Sequence, residues 1–181
     1  MSKSLGNVIS PFELVEKYGV DATRYMLLRH VHSTDDSDVT WERMDEWYNA
    51  NLANGLGNLA ARILKMAEDH IDVPIEQPSV AEFEEGYTEP IARYDFQSAL
   101  DFVWRKIGEL DERITTEQPF KLVKEDPEKA KEIIRALLHD LYIVARMLNP
   151  FMPETNKRIK EAILDNKKPE TLFPRLEQVP K

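Results

Sequence analysis

Lys3 stands between Ser2 and Ser4, with Gly6 and Asn7 just behind it. Such a group suits a polyphosphate: lysine brings a mobile charge, the hydroxyls bring adaptable donors, and glycine lets the backbone come close. A second group follows at helical spacing. Asn54, Asn58, Arg62 and Lys65 fall at i, i+4, i+8 and i+11, along one side of a helix. An asparagine amide offers a base edge a donor and an acceptor, and an arginine can bond bidentately or lay its plane on a base. A helix face carrying both can read splayed single-stranded bases. On an arbitrary helix the same stripe is a solvated surface. His30, His32, His70 and His139 are scattered singly, which favours packed or solvated rings over catalysis, and no His/Asp/Glu spacing suggests a metal site.

Helices must position these groups. Ser10-Pro11-Phe12-Glu13 combines an N-cap serine, proline at the first helical position and glutamate at the third. Gly19 stops that helix, and Asp21 is expected to cap a second one running to about His30. Residues 31–39 read as loop, with a short extended piece at Val39-Thr40. A long helix then begins near Trp41, where Met44, Trp47, Tyr48, Leu52, Leu56, Leu59, Ile63 and Met66 form an apolar stripe. Pro74, Pro78 and Pro90 make residues 72–90 a connector with room for one short helical turn. Asp95 caps the next helix, with Phe96, Leu100, Val103, Ile107, Leu110 and Ile114 on one face, and Gln118-Pro119 ends it. Asp126-Pro127-Glu128 starts another, burying Ile133, Ile134, Leu137, Leu138, Leu141, Val144 and Leu148. A last helix runs from Pro153 through Ile163. Trp41, Trp47 and Trp104 lie within helices and are expected to serve core or interface. Four amphipathic helices with short links predict an all-α fold packed as an antiparallel bundle.

Composition narrows the function. The 181 residues hold 42% hydrophobic and 31% charged side chains, enough for a core in one compact domain or a subdomain plus bundle. No run of 18 apolar residues and no signal-peptide pattern occurs, so the expectation is a cytoplasmic protein without a membrane partner. Without cysteine the sequence has no disulfide, thiol nucleophile or cysteine-based zinc site. The formal net charge of −9 argues against a general nucleic-acid binder but leaves room for one that reads a few unpaired bases with local cations and stacking surfaces.

Met1-Ser2-Lys3-Ser4-Leu5-Gly6-Asn7, continuing through Tyr25, resembles the signature loop of class I aminoacyl-tRNA synthetases, Lys-Met-Ser-Lys-Ser, and the two helices after it. The first lysine of that signature is missing. The resemblance therefore implies the C-terminal part of a larger enzyme, cut at the edge of its catalytic domain. Residues 51–62, Asn-Leu-Ala-Asn-Gly-Leu-Gly-Asn-Leu-Ala-Ala-Arg, are similar to the first anticodon-domain helix of the methionyl-tRNA synthetase family rather than to the leucyl, isoleucyl or valyl enzymes. In that family an asparagine and an arginine four residues apart contact the methionine anticodon, and they match Asn58 and Arg62, with Asn54 one turn earlier. Gln118-Pro119-Phe120 falls where the family carries a proline and then an aromatic, usually tryptophan, that stacks on an anticodon base. Phe120 keeps the stacking face but loses area and the indole donor. Its alternative role is a hydrophobic plug beneath the loop between helices, and Lys121 and Lys124 nearby are free to meet phosphates or solvent. Tyr142, residues 148–153 and residues 172–175 also fit the family's last helices and tail.

The resemblance implies three parts: a catalytic-loop remnant and small helical stem-contact segment over 1–40, the anticodon-binding bundle over 41–175, and a tail over 176–181. It implies that Lys3, in the full enzyme, steadies the triphosphate of ATP (with Mg) as methionine attacks, and that Ser2, Ser4 and Asn7 shape that ATP-binding loop. No nucleotide-binding sheet, His-Ile-Gly-His-like motif or methionine pocket is present in the sequence, so this stretch alone is expected to be inactive and to hold no cofactor. The implied partners are tRNA(Met), through its anticodon, and the N-terminal catalytic domain, with the chain itself a monomer. A stand-alone helical tRNA-binding or assembly protein is the alternative. It would need neither Lys3 nor the Asn58/Arg62 pair, and both are present.

Overall fold

The computed structural model describes residues 9–31, 39–72, 77, 79 and 82–176, and among these the chain is helical with no strand. Helix α1 (Pro11–Tyr18) starts as its sequence predicts. Ser10 Oγ accepts from the Phe12 N–H, the Glu13 carboxylate accepts from the Ser10 N–H at 2.9 Å, and Pro11 opens the first turn. Gly19 turns the chain at φ +80°, where a side chain would be strained. Helix α2 (Val20–His30) follows with no side-chain cap of its own.

Asp21 corrects the sequence reading. Its carboxylate reaches across the fold and accepts from the N–H and the hydroxyl of Thr155 at 2.6 and 2.7 Å. It therefore caps the first turn of α9 (Pro153–Leu164), where free amides and the helix dipole favour an anion. Arg24 donates to the carbonyls of Pro150 and Phe151 beside it. Two side chains of one helix thus hold α2 to the corner before α9.

The long helix contains a segment that periodicity did not predict. It opens at Thr40, whose Oγ1 accepts from the Arg43 N–H, and runs as α3 (Trp41–Trp47), a π-helical stretch (Tyr48–Gly57) and α4 (Asn58–His70). Met44, Tyr48, Leu52 and Leu56 recur every four residues. On an α-helix each such step overshoots a turn by about 40°, carrying Leu56 roughly 120° from Met44. Wider i→i+5 turns hold more than four residues and undo that drift. All four side chains are buried.

Helix α5 (Glu85–Ala92) replaces the expected single turn, with Pro90 inside it near the end. The buried Tyr87 hydroxyl donates to the Met147 carbonyl at 2.7 Å, fixing α5 to α8. Helix α6 (Phe96–Glu117) is capped by Asp95 and ends at Gln118, which turns left-handed at φ +46°. A short α7 (Pro119–Glu125), absent from the sequence reading, precedes α8 (Pro127–Leu148), capped by Asp126. Helix α8 sits at the centre, packed on α4, α6, α7 and α9. Its buried Ile134, Leu137, Leu141 and Leu148 meet Ile63, Leu100 and Val103 in one core, where each such side chain contributes about 1.5–3 kcal/mol.

Helices α1 and α2 share that core through Leu14, Tyr18, Tyr25 and Met26, and rings seal the joint. Trp104 stacks on Tyr25 with centroids 4.2 Å apart, Trp47 on His30 at 4.5 Å and Trp41 on Tyr18 at 6.3 Å. The tryptophans thus serve an interface, as expected. After α9 the chain returns over residues 168–176 as a strap. Leu172 and Phe173 are buried, Arg158 donates to the carbonyls of residues 170–172, and Asn49 exchanges two hydrogen bonds with the Leu176 backbone.

Candidate functional site

Ser2, Lys3, Ser4 and Asn7 lie outside the described residues, so the site is built from the long helix, α6, α7 and the strap. Asn54 and Asn58 are both exposed and line one cleft against residues 168–175. The Asn54 amide oxygen accepts two hydrogen bonds from Arg175, one from Nε at 3.0 Å and one from Nη2. One turn on, Asn58 has no hydrogen-bond partner among the described residues. Arg62 is committed within the fold: its Nη1 lies 2.5 Å from an Asp111 carboxylate oxygen on α6, with the side chains 37% and 54% exposed. Lys65 turns to its own helix, 2.7 Å from Asp69 and 3.2 Å from Glu68. Those carboxylates, Asp69 foremost, push its ammonium pKa up.

The predicted stripe therefore exists as a surface, but its members are not equivalent. Of the four side chains, that of Asn58 alone makes no hydrogen bond or ion pair among the described residues. The Arg62–Asp111 pair is open to water, where such pairs are worth about 0–1 kcal/mol. A bidentate arginine–base contact is worth about 1–3 kcal/mol, so Arg62 can exchange one partner for the other.

Phe120 lies in the first turn of α7, two residues after the left-handed Gln118, and is 47% exposed. The plug reading fails. Pro119 is buried and Leu122 and Val123 are half-buried, so these anchor α7 and leave the Phe120 ring available to stack. Glu117, the last residue of α6, is six positions beyond Asp111, roughly 9 Å along the helix axis. Lys121 and Lys124 are exposed and make no ion pair among the described residues.

His30 is a packed ring. It stacks on Trp47, meets Tyr25 edge-on and lies 3.4 Å from the Asn51 amide nitrogen. Burial, aided by the Arg29 cation, lowers its pKa from 6.5 to about 4, so the ring is neutral and can accept from Asn51. Sequence reasoning missed Asp111, Lys168 and Arg175 as parts of this surface. Arg175 and Asn54 are 121 positions apart, and no local pattern signals such a contact. Among the described residues no helix is long and apolar enough to cross a membrane.

Comparisons with known proteins match this architecture. Residues 1–64 match the family described as tRNA synthetases class I (M), and residues 82–181 match the anticodon binding domain of methionyl tRNA ligase. The methionine--tRNA ligase of Fusobacterium nucleatum is 32% identical over 90% of this chain, and that of Lactococcus lactis is 36% identical over 90%. The chain spans only 28% and 27% of their lengths. Among solved structures, Mycobacterium tuberculosis methionyl-tRNA synthetase in complex with methionyl-adenylate superposes with a TM-score of 0.70 at 32% identity, covering 88% of this chain and 34% of that one. The apo form of the same enzyme gives 0.72 at 27% identity, covering 96% and 42%. With the family's anticodon domain matched over residues 82–181, more than half of this chain, and the helical bundle of its solved relatives reproduced, this chain belongs to the methionyl-tRNA synthetase family.

Proposed function

We propose that this chain is the tRNA-reading region of a methionine--tRNA ligase. The bundle over residues 41–175 recognises the CAU anticodon of tRNA(Met), and residues 1–40 carry the catalytic-loop remnant and stem-contact segment. The observation that carries this reading is the exposed start of α4, where Asn58, whose side chain has no hydrogen-bond partner among the described residues, stands one turn before Arg62. Asn58 offers a donor and an acceptor to one base edge, and Arg62 leaves Asp111 to bond the neighbouring base. Phe120 supplies a flat face for a third contact, worth about 1–3 kcal/mol as a stack. Asn54, held by Arg175, fixes the entrance to this face.

In the longer enzyme, this region places the acceptor end of the tRNA in a distant active site where methionine is activated with ATP (and Mg) and transferred. There Ser2, Lys3, Ser4 and Asn7 face the triphosphate, and Lys3 stabilises the charge on the departing pyrophosphate. Cytoplasmic translation by a monomer is the setting this reading implies. The test is binding of the 181-residue chain to a hairpin bearing CAU and to the same hairpin with one anticodon base changed, at moderate salt. Selective binding that disappears in Arg62→Ala is expected. Equal binding to both hairpins, or none to either, overturns the proposal that this chain reads the anticodon.

A further inference from the structure

The side of α6 turned away from Asp111 lines a groove that the RNA contacts leave unused. Glu109 and Arg113 stand two positions either side of Asp111, about 200° around the helix from it, so the groove opens away from Arg62. It encloses about 270 Å³ between α6, α8 and Glu84, the residue that opens α5. Its floor is apolar, made by Leu110, Ile143, Val144 and Met147. Ile143 is half-buried and the other three are buried.

Each end of that floor carries one cation shared by two carboxylates. Lys106 lies 2.8 Å from Glu84 and 3.4 Å from Glu109. Arg113 lies 2.8 Å from Glu117 and 3.2 Å from Asp140. Each trio therefore keeps one negative charge. The acids also stand outermost, since Glu84 and Glu109 are 64% and 54% exposed against 27% for Lys106. Arg113 is seven positions beyond Lys106, roughly 10 Å along the helix. Past Arg113 the groove adjoins a cavity lined by Glu117, Leu122 and Ile133. One Glu117 oxygen is buried and accepts no hydrogen bond among the described residues, a costly state that an arriving donor relieves.

We infer that this groove is a docking surface for a basic amphipathic helix of a partner protein. The complement of acid, apolar floor and acid is a helix with lysine or arginine at i and i+7 and leucine-sized side chains between them. Laid along α6, such a helix sets its two charges at the same spacing of about 10 Å. Its apolar side chains cover Ile143 and Val144, one cation meets Glu84 and Glu109, and the other meets Asp140 and the buried Glu117 oxygen. The net charge of −9 steers a basic partner toward the chain. Because Asp111 and Arg62 lie on the other side of α6, a docked helix leaves the reading face open, and nothing in this docking depends on RNA.

The test is a titration of the 181-residue chain with a labelled synthetic helical peptide, followed by anisotropy. The peptide carries lysines at i and i+7 and leucines at i+3 and i+4. Saturable binding is expected, weakened about tenfold when the leucines become alanines and at least tenfold when the lysines become glutamates. In the chain, Glu109→Lys and Asp140→Lys are each expected to weaken binding about fivefold, and Ile143→Ala about threefold, with melting temperatures near that of the wild type. Glu84→Gln, at a mostly exposed residue, reads the Lys106 end of the groove if a lysine variant fails to fold. Leucine and alanine peptides that bind alike overturn the proposal, because charge alone would then hold them. So does 1,8-diaminooctane binding as tightly as the peptide. Rim variants that bind as the wild type does, or a wild-type chain that binds no peptide, overturn it as well.

Discussion

Gly55 and Gly57 occupy one π-helical stretch two residues apart, and their replacement by alanine isolates the geometry of that stretch. In any helix the exchange gains about 1 kcal/mol from propensity. At Gly55 the new methyl would sit 3.4 Å from the Ala50 carbonyl oxygen, at the edge of ordinary contact. Gly55→Ala should therefore keep most of the gain, about 0.5–1 kcal/mol. At Gly57 the methyl would meet the Leu52 carbonyl oxygen at 2.9 Å, with Phe173 behind it. A backbone carbonyl inside a helix cannot swing away, and overpacking of this kind costs about 1–3 kcal/mol. Gly57→Ala should thus be neutral to about 2 kcal/mol destabilising once propensity is offset. The difference between the two variants cancels propensity and should be about 1–3 kcal/mol, or at least 2–4 °C in melting temperature for a chain of this size. Urea and thermal unfolding of the two variants and the wild type measure it. If both alanines stabilise alike, the i→i+5 turns between Leu52 and Gly57 do not exist. The cleft wall they shape would then be lost with them.

Asp21→Ala should cost about 1–2 kcal/mol in urea unfolding, because it strips two hydrogen bonds from the first turn of α9, and Asp21→Asn should cost less. His30 is held at about pKa 4, below its ordinary 6.5. Between those values the unfolded chain takes up a proton that the folded chain refuses, so stability should rise with pH through that window and level off above it. His30→Gln should flatten that rise in urea midpoints measured from pH 4 to 7. Phe120→Ala should weaken hairpin binding by the equivalent of about 1–3 kcal/mol while leaving the melting temperature within about 2 °C, and Phe120→Trp should strengthen binding. Asp111→Asn frees Arg62 and should tighten binding to the CAU hairpin by up to about fivefold, the worth of an exposed pair. Weaker binding would mean that Asp111 orients Arg62 rather than competes for it.

The helices were legible because their apolar residues recur at helical spacing and because Ser10, Asp95 and Asp126 are capping residues in the right places. What escaped was non-local or short. Asp21 has the form of a cap for its own helix, and only the folded chain shows that Thr155 is its partner. Seven residues at α7 are too few to display a period, and Pro90 disguised α5 as a connector. The π-helical stretch left one weak trace, the run of four-residue steps from Met44 to Leu56, which a straight α-helix would spread over about 120° of its surface. At the site, the sequence offers Asn58 and Arg62 by resemblance only, and it takes the folded chain to show that the Phe120 ring is half exposed rather than buried beneath the loop. The claims of Asp111 on Arg62 and of Arg175 on Asn54 depend on which helices become neighbours, which spacing along the chain does not record.

The three stacked indoles at the joint have an optical consequence. Each of the chain's tryptophans rests on a ring from α1 or α2, so ultraviolet emission from this protein reports how those two helices are seated. The proposed reading surface contributes Phe120, which is spectrally silent beside tryptophan. An RNA titration followed by intrinsic emission therefore has no emitter on that surface, and a change it registers reports motion carried to the joint along the long helix or through α6. A Phe120→Trp chain would place an emitter just beyond the C-terminal end of α6, whose Glu117 lies 13 residues, roughly 20 Å, from Trp104. The joint and the surface could then be watched in one molecule, and whether binding at one unseats the other becomes a question of colour and intensity.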